Sequence, residues 1–215
     1  MDCDDLWLPE KLEKQVAFMQ QHSVPFCFSS YHIVDSVGSL KREVIYEARQ
    51  GDLFNLITHN YTLGILTVLM CRDFLLKTGM RFDSQSHYYG DCIFFSLIAS
   101  RYPIGCLAEV LAHYRHHGGT LSFQLDEKRY EDELAVLQRR IREDFPVPRD
   151  RLMLKSIQRS YDSWRIKSYL LRNELRSARR VLRCYFIHDA KFFLCYWLTW
   201  LPARIVKQVL AKYLR

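Results

Sequence analysis

The chain opens MDCDDLWLPEKLEKQ (Met1–Gln15). Three carboxylates, Asp2, Asp4 and Asp5, arrive before any strand or helix has been laid down to hold them. Carboxylates one residue apart on a turn can offer oxygens to Mg²⁺ or Mn²⁺ and leave coordination positions open for phosphate oxygens. The same letters also read as an acidic tail and a helix cap, because Asp5 lies just before a helical pattern. That pattern is EKLEKQVAFMQQH (10–22). Pro9 suits a first helical turn, and Leu12, Val16 and Met19 recur at helical spacing.

The chain has 215 residues, of which 49% are hydrophobic and 14% aromatic. That length and content make a globular protein with a sizeable core and exclude a disordered one. Seven cysteines form no CxxC pair and follow no secretory signal. They are expected as reduced, mostly buried thiols in a cytoplasmic protein. The net charge of +7 is unevenly spread. From Arg149 onward there are 16 Lys and Arg against four Asp and Glu, whereas residues 1–148 hold 15 against 20. FPVPRD (145–150) marks the change, since two prolines in four residues stop a helix.

Strand and helix patterns alternate, so the class is α/β. PFCFSSYHIVD (25–35) and LKREVIYEA (40–48) read as strands, GDLFNLITHN (51–60) as a short helix, and LGILTVLMCRDFL (63–75) as a buried strand running into a turn. A helix is expected from Gly90–Asp91, with Ile93, Leu97 and Ile98 on one side. IGCLAEVLAHYRHH (104–117) reads as a strand. FQLDEKRYEDELAVLQRRIRED (123–144) reads as an amphipathic helix with Tyr130, Leu134, Leu137 and Ile141 as its stripe. There is no GxGxxG or P-loop motif, and no internal repeat.

Two further stretches carry chemistry. In YYGD (88–91), Asp91 is placed to act as a general base or as a helix cap, and the helix dipole that favours a cap also keeps the carboxylate ionised. In HYRHHGG (113–119), Arg115 with His113, His116 and His117 suits an anion or a metal, because Arg presents a planar fork to phosphate oxygens. The other reading is a loop end with surface histidines.

Taken in order, these pieces resemble the family-two glycosyltransferases, inverting enzymes with a GT-A fold. The resemblance rests on Met1 to Leu12, Thr67-Val68, Arg81-Phe82-Asp83, Gly90-Asp91, Leu111 to His117 and Ser122, and covers about residues 1–123. It implies a partial GT-A mixed sheet with flanking helices in residues 1–123, followed by an amphipathic helix (124–148) and a basic helical region (149–215). It also implies that Asp2 and Asp4 lie on the Asp-x-Asp motif that binds a divalent cation, Mg or Mn, with Asp4 preferred as the direct ligand. Asp91 falls on the base that deprotonates the acceptor hydroxyl; the family's Glu-Asp pair is here Gly90-Asp91. Asp5, Arg115 and His117 are assigned to the donor diphosphate or the acceptor. The implied partners are a nucleotide-sugar donor and a glycan or lipid-linked acceptor, in cell-surface polysaccharide synthesis.

In that family, the segment before the motif cradles the nucleotide base and ribose. The expectation is that this chain lacks it, that Met1 is internal to a longer gene, and that a separately encoded N-terminal half is a partner. The alternative is a non-catalytic remnant acting as a membrane-associated or partner-binding module. A metal-dependent hydrolase would need further ligands that the sequence does not offer.

The basic C-terminal part ends in an aromatic stretch, Cys184–Leu201, that contains His188, Asp189 and Lys191. This is too polar for a spanning helix and suits an interfacial one. Tyr185, Tyr196, Trp197 and Trp200 would sit at the headgroup level. Arg204, Lys207, Lys212 and Arg215 would face anionic lipids of the inner leaflet, placing the protein peripherally at the inner face of the cell membrane. A helix that packs on the catalytic domain is the other reading. No motif supports nucleic-acid binding.

Overall fold

A computed structural model describes residues 3–58, 61–84, 86, 89–116, 127–145, 149–185 and 190–201. The chain divides into two compact units, Met1–Leu154 and Lys155–Arg215.

The first unit is built on a six-stranded mixed sheet. Its strands are β1 (Leu6–Trp7), β2 (Phe26–Val34), β3 (Leu40–Val44), β4 (Arg49–Gly51), β5 (Leu69–Met70) and β6 (Ile104–Arg115). The order is β1-β6-β2-β3, with β4 on β6 and β5 on β2. Only β2 and β6 run parallel, and they form the centre. Phe26 to Tyr31 of β2 are all buried, which requires the near-continuous apolar and small sequence found there. The β2–β6 register shifts between Ser29 and Ser30 and again between Ser30 and Tyr31. Such bulges bend a strand. Here they lie just before the stretch of β6 that pairs with β1, Ala112 and His113.

Helices flank the sheet: α1 (Lys11–His22), α2 (Phe54–Thr58), α3 (Arg72–Thr78), α4 (Gly90–Arg101) and α5 (Glu127–Asp144). The helix expected from Gly90–Asp91 forms there, but it is buried nearly all round rather than on one side. Phe95 stacks on Phe26 with centroids 5.5 Å apart. Leu134, Leu137 and Ile141 of α5 are buried as their spacing predicts. Arg140 anchors that helix to Asp83 at 2.5 Å.

Three expectations are corrected. The stretch 63–75 is not one strand but a 3₁₀ turn (Ile65–Thr67), the two-residue β5 and the helix α3. Only Leu69–Met70 finds a partner strand, Phe26–Cys27, and chain without a ladder partner turns or coils to satisfy its own backbone. Second, three of the seven cysteines, Cys27, Cys92 and Cys106, are buried, and all seven are free. Third, of the expected stripe of α1, Met19 packs on the core but Leu12 and Val16 do not. Leu12 and Val16 are 48% and 44% exposed, whereas Lys11 and Gln15 are fully buried. The Lys11 ammonium lies 4.3 Å over the Trp7 ring and donates to Gln15. Gln15 in turn donates to the Thr67 carbonyl at 2.9 Å. Phe18 and Met19 complete the buried face against Cys27, Leu107 and Leu111. Gly105 permits this approach: a Cβ there would stand 2.2 Å from Phe18 Cε1.

Burial pushes the Lys11 amine down to about 8 from its ordinary 10.5. The unfolded chain therefore holds that proton where the folded chain has released it, so stability rises with pH across this window. Melting temperatures measured between those two pH values should climb in the wild type. In Lys11→Met, that climb should flatten.

Candidate active site

Two groups of side chains carry the candidate chemistry. The first is the turn at Asp4–Asp5 and the end of β6. Asp5 is buried, and its Oδ1 accepts the Arg115 backbone N–H at 3.1 Å. Arg115 Nε donates to the Asp4 carbonyl at 3.0 Å, and Nη1 donates to the Ser36 carbonyl at 2.7 Å. The antiparallel pairing of β1 with β6 brings these residues together across 110 positions of sequence. Asp5 is thus not the cap of α1, whose N-cap position is Glu10, without a side-chain bond. One of the five Arg115 donors braces the Asp4–Asp5 turn and a second reaches the turn after β2 at Ser36, which leaves Arg115 capacity for an anion as well. Asp4 is half-buried. Asp2 and His117 lie outside the described residues. Of the neighbouring histidines, His113 stacks on His32 with centroids 5.4 Å apart.

The second group surrounds Asp91. This residue is in the first turn of α4, and the N-cap position belongs to Tyr89, so the capping reading is displaced by two residues. Its Oδ1 accepts the Cys92 N–H at 2.7 Å. Its Oδ2 accepts the Tyr61 hydroxyl at 3.2 Å. Burial raises the Asp91 carboxyl above its ordinary range, and the bonds from Cys92 and Tyr61 partly counter this. Burial and the adjacent Asp91 hold the Tyr61 phenol well above its usual value, so it remains a donor.

The loop carrying Tyr61 is pinned to the sheet. Tyr31 donates to the Thr62 carbonyl at 2.9 Å, and Tyr46 bonds the Thr62 hydroxyl at 3.0 Å. The Trp7 indole donates to the Leu66 carbonyl at 2.8 Å. Trp7 lies on β1, the strand that follows the acidic turn, so one short loop is tied both to that strand and to Asp91. Sequence reasoning gave Tyr61 and Trp7 no role: Tyr61 lies in no motif, Trp7 lies within the stretch that carries the resemblance, and only the fold shows what their polar atoms reach.

Among the described residues, no three His, Cys, Asp or Glu side chains cluster closely enough to hold a metal. The oxygen donors of the acidic turn are of the type a hard divalent cation takes. Of those carboxylates the structure describes Asp4, half-buried, and Asp5, buried against the end of β6.

Tyr61→Phe should test the coupling to Asp91. Losing the phenol donor removes support for the ionised carboxylate and raises its pKa further. The acid limb of the pH–rate profile should move to higher pH, with the alkaline side unchanged. An unmoved limb would separate Tyr61 from the titration of Asp91.

Comparison with known proteins follows the same pattern. The WfgD protein of Escherichia coli, named UDP-Glc:alpha-D-GlcNAc-diphosphoundecaprenol beta-1,3-glucosyltransferase, is 29% identical over 89 residues, 41% of this chain and 34% of its own length. The putative teichuronic acid biosynthesis glycosyltransferase TuaG of Bacillus subtilis is 28% identical over 123 residues, 57% of this chain and 47% of its own. In structure, S. aureus TarS 1–349 in complex with UDP-GlcNAc superposes with a TM-score of 0.57 at 17% identity, covering 85% of this chain and 54% of TarS. The chain resembles family-two glycosyltransferases in sequence and in fold. This glycosyltransferase-like chain spans less than half the length of each of those two curated relatives. No protein-family model matches it. At this identity the TarS likeness speaks to the GT-A-like fold alone: a mixed sheet with flanking helices.

Proposed function

We propose that the protein transfers a sugar from a nucleotide-sugar donor to a glycan or lipid-linked acceptor, with inversion, in cell-surface polysaccharide synthesis. Residues 1–123 would form the part that carries the metal and acceptor chemistry. The observation that carries the reading is Asp91, a partly buried carboxylate held at the start of α4 by Tyr61 and Cys92. One displacement at an anomeric carbon needs a base on the acceptor side and charge stabilisation on the other. Asp91 takes the proton of the acceptor hydroxyl as its oxygen bonds to the anomeric carbon. The bond from that carbon to the diphosphate breaks, and the electron pair leaves with the diphosphate oxygen. Because the step is single, the anomeric configuration inverts. Asp2 and Asp4 would hold a divalent cation, which supplies positive charge against the diphosphate. Arg115 and His117 would contact the donor phosphates or the acceptor, and Asp5 keeps the turn in register with β6. The named substrate of WfgD, a diphosphoundecaprenol-linked sugar, supports a lipid-linked acceptor. The UDP-Glc in the name of WfgD supports a uridine nucleotide donor.

The test incubates the full protein with Mn²⁺, UDP-glucose or UDP-GlcNAc, and a lipid-diphosphate-linked GlcNAc. UDP release with a β-linked product from the α-linked donor, suppressed by EDTA, supports the reading. Absence of both UDP release and nucleotide-sugar binding would favour a non-catalytic module.

A further inference from the structure

The second unit begins within α6 (Arg149–Leu171) and continues through α7 (Leu175–Leu182) and α8 (Ala190–Leu198). Ile166, Leu170, Ala178, Val181, Leu182 and Phe192 form its core. Tyr185 and Tyr196 pack against that core, and the Tyr185 hydroxyl donates to buried Asp162 at 2.6 Å. These two tyrosines are therefore occupied inside the unit and not at a headgroup boundary.

The same helices present a second face. On α8 and the turn after it, Phe193, Leu194, Trp197, Trp200 and Leu201 are 43%, 63%, 55%, 56% and 40% exposed. Their spacing is that of one helical ridge. Core packing does not use it, because Phe192 and Thr199 face inward instead. On α7, which packs beside α8, Arg176, Arg180 and then Arg183 are exposed at helical spacing. Arg179 joins the two ridges, its guanidinium 4.4 Å over the Trp200 ring. Among the described residues, no helix is long and apolar enough to cross a membrane.

We propose that this face docks on an anionic lipid surface. The apolar ridge would enter the boundary between headgroups and acyl chains, and Arg176, Arg180 and Arg183 would pair with lipid phosphates. Charge complementarity selects the partner. Residues 149–215 hold 16 Lys and Arg against four Asp and Glu, so a second copy meeting it through the same face would bring like charge against like. A nucleic acid could stack on the indoles and pair with the arginines, but it would leave Leu194 and Leu201 in water. Lipid covers both the aliphatic and the cationic groups. The inference stands apart from the transfer reaction, so either can fail alone.

The experiment is flotation of the full chain with vesicles of phosphatidylcholine, alone or mixed with phosphatidylglycerol. Binding is expected only to the mixed vesicles, weakening as salt rises, with a blue shift of tryptophan emission. Leu194→Glu with Trp197→Glu should lower binding by about tenfold or more, and Arg176→Glu with Arg180→Glu by several-fold. All four side chains are exposed, and far-UV circular dichroism checks that both variants keep their helices. The proposal is overturned by flotation with neither vesicle, or by flotation indifferent to lipid charge and to the arginines. Concentration-dependent dimerisation that blue-shifts the emission without lipid would also overturn it, as would binding of single-stranded DNA in place of vesicles.

Discussion

Asp91→Asn is expected to lower sugar transfer by about 10²–10⁴-fold, the range lost when a positioned general base is removed. Asn keeps an oxygen for the Cys92 N–H, so α4 retains its first turn. Nucleotide-sugar binding should change little, because the base acts on the acceptor. The substitution should also alter stability, in the opposite sense to activity. Burial holds the folded-state Asp91 carboxyl above its ordinary value. Its stabilising contribution is therefore complete below the ordinary carboxylate pKa and is lost as pH rises through the folded one. At neutral pH the wild type carries an ionised carboxylate that its surroundings disfavour. Asp91→Asn should melt higher there and show a flatter dependence on acid pH. An unchanged transfer rate would remove Asp91 from the chemistry, whatever its effect on melting.

The largest expected effect on folding is Phe95→Ala. The Phe95 side chain is 1% exposed. It stacks on Phe26 of β2 and meets the edge of Phe82 at a centroid distance of 5.9 Å. Truncating a buried Phe in such a site costs about 3–5 kcal/mol, the sum of lost transfer energy and an unfilled cavity. A urea titration should show the midpoint fall at unchanged slope. Phe95→Leu keeps most of the volume and should cost less. Phe95 is one turn from Asp91 on α4, so an Ala variant that still folds should also transfer more slowly. A loss well under 1 kcal/mol would mean that α4 is not held by this stack.

Parts of this architecture were legible in the chain because their signals are local. The helix from Gly90–Asp91 and the long strand 104–115 form where their apolar runs point, and Leu134, Leu137 and Ile141 of α5 are buried at the helical period their neighbours share. The chemical types at the acidic turn, at Asp91 and at Arg115 are likewise written in the sequence, and their order carries the glycosyltransferase resemblance. The inner face of α1 was not legible. Apolar periodicity points to Leu12 and Val16, but the fold buries Lys11 and Gln15, whose partners Trp7, Cys27 and Thr67 come from three other segments. Residues 63–75 look like one strand because an apolar run cannot tell how much of its backbone will find a ladder. Tyr61 shows the same limit at the site, since its use depends on a carboxylate 30 positions away. The sequence by itself determined which reactive groups exist and the helices and strands that hold them. Only the tertiary structure decided which groups meet, because hydrogen bonds and burial between distant segments outweigh the weaker preferences of neighbouring residues.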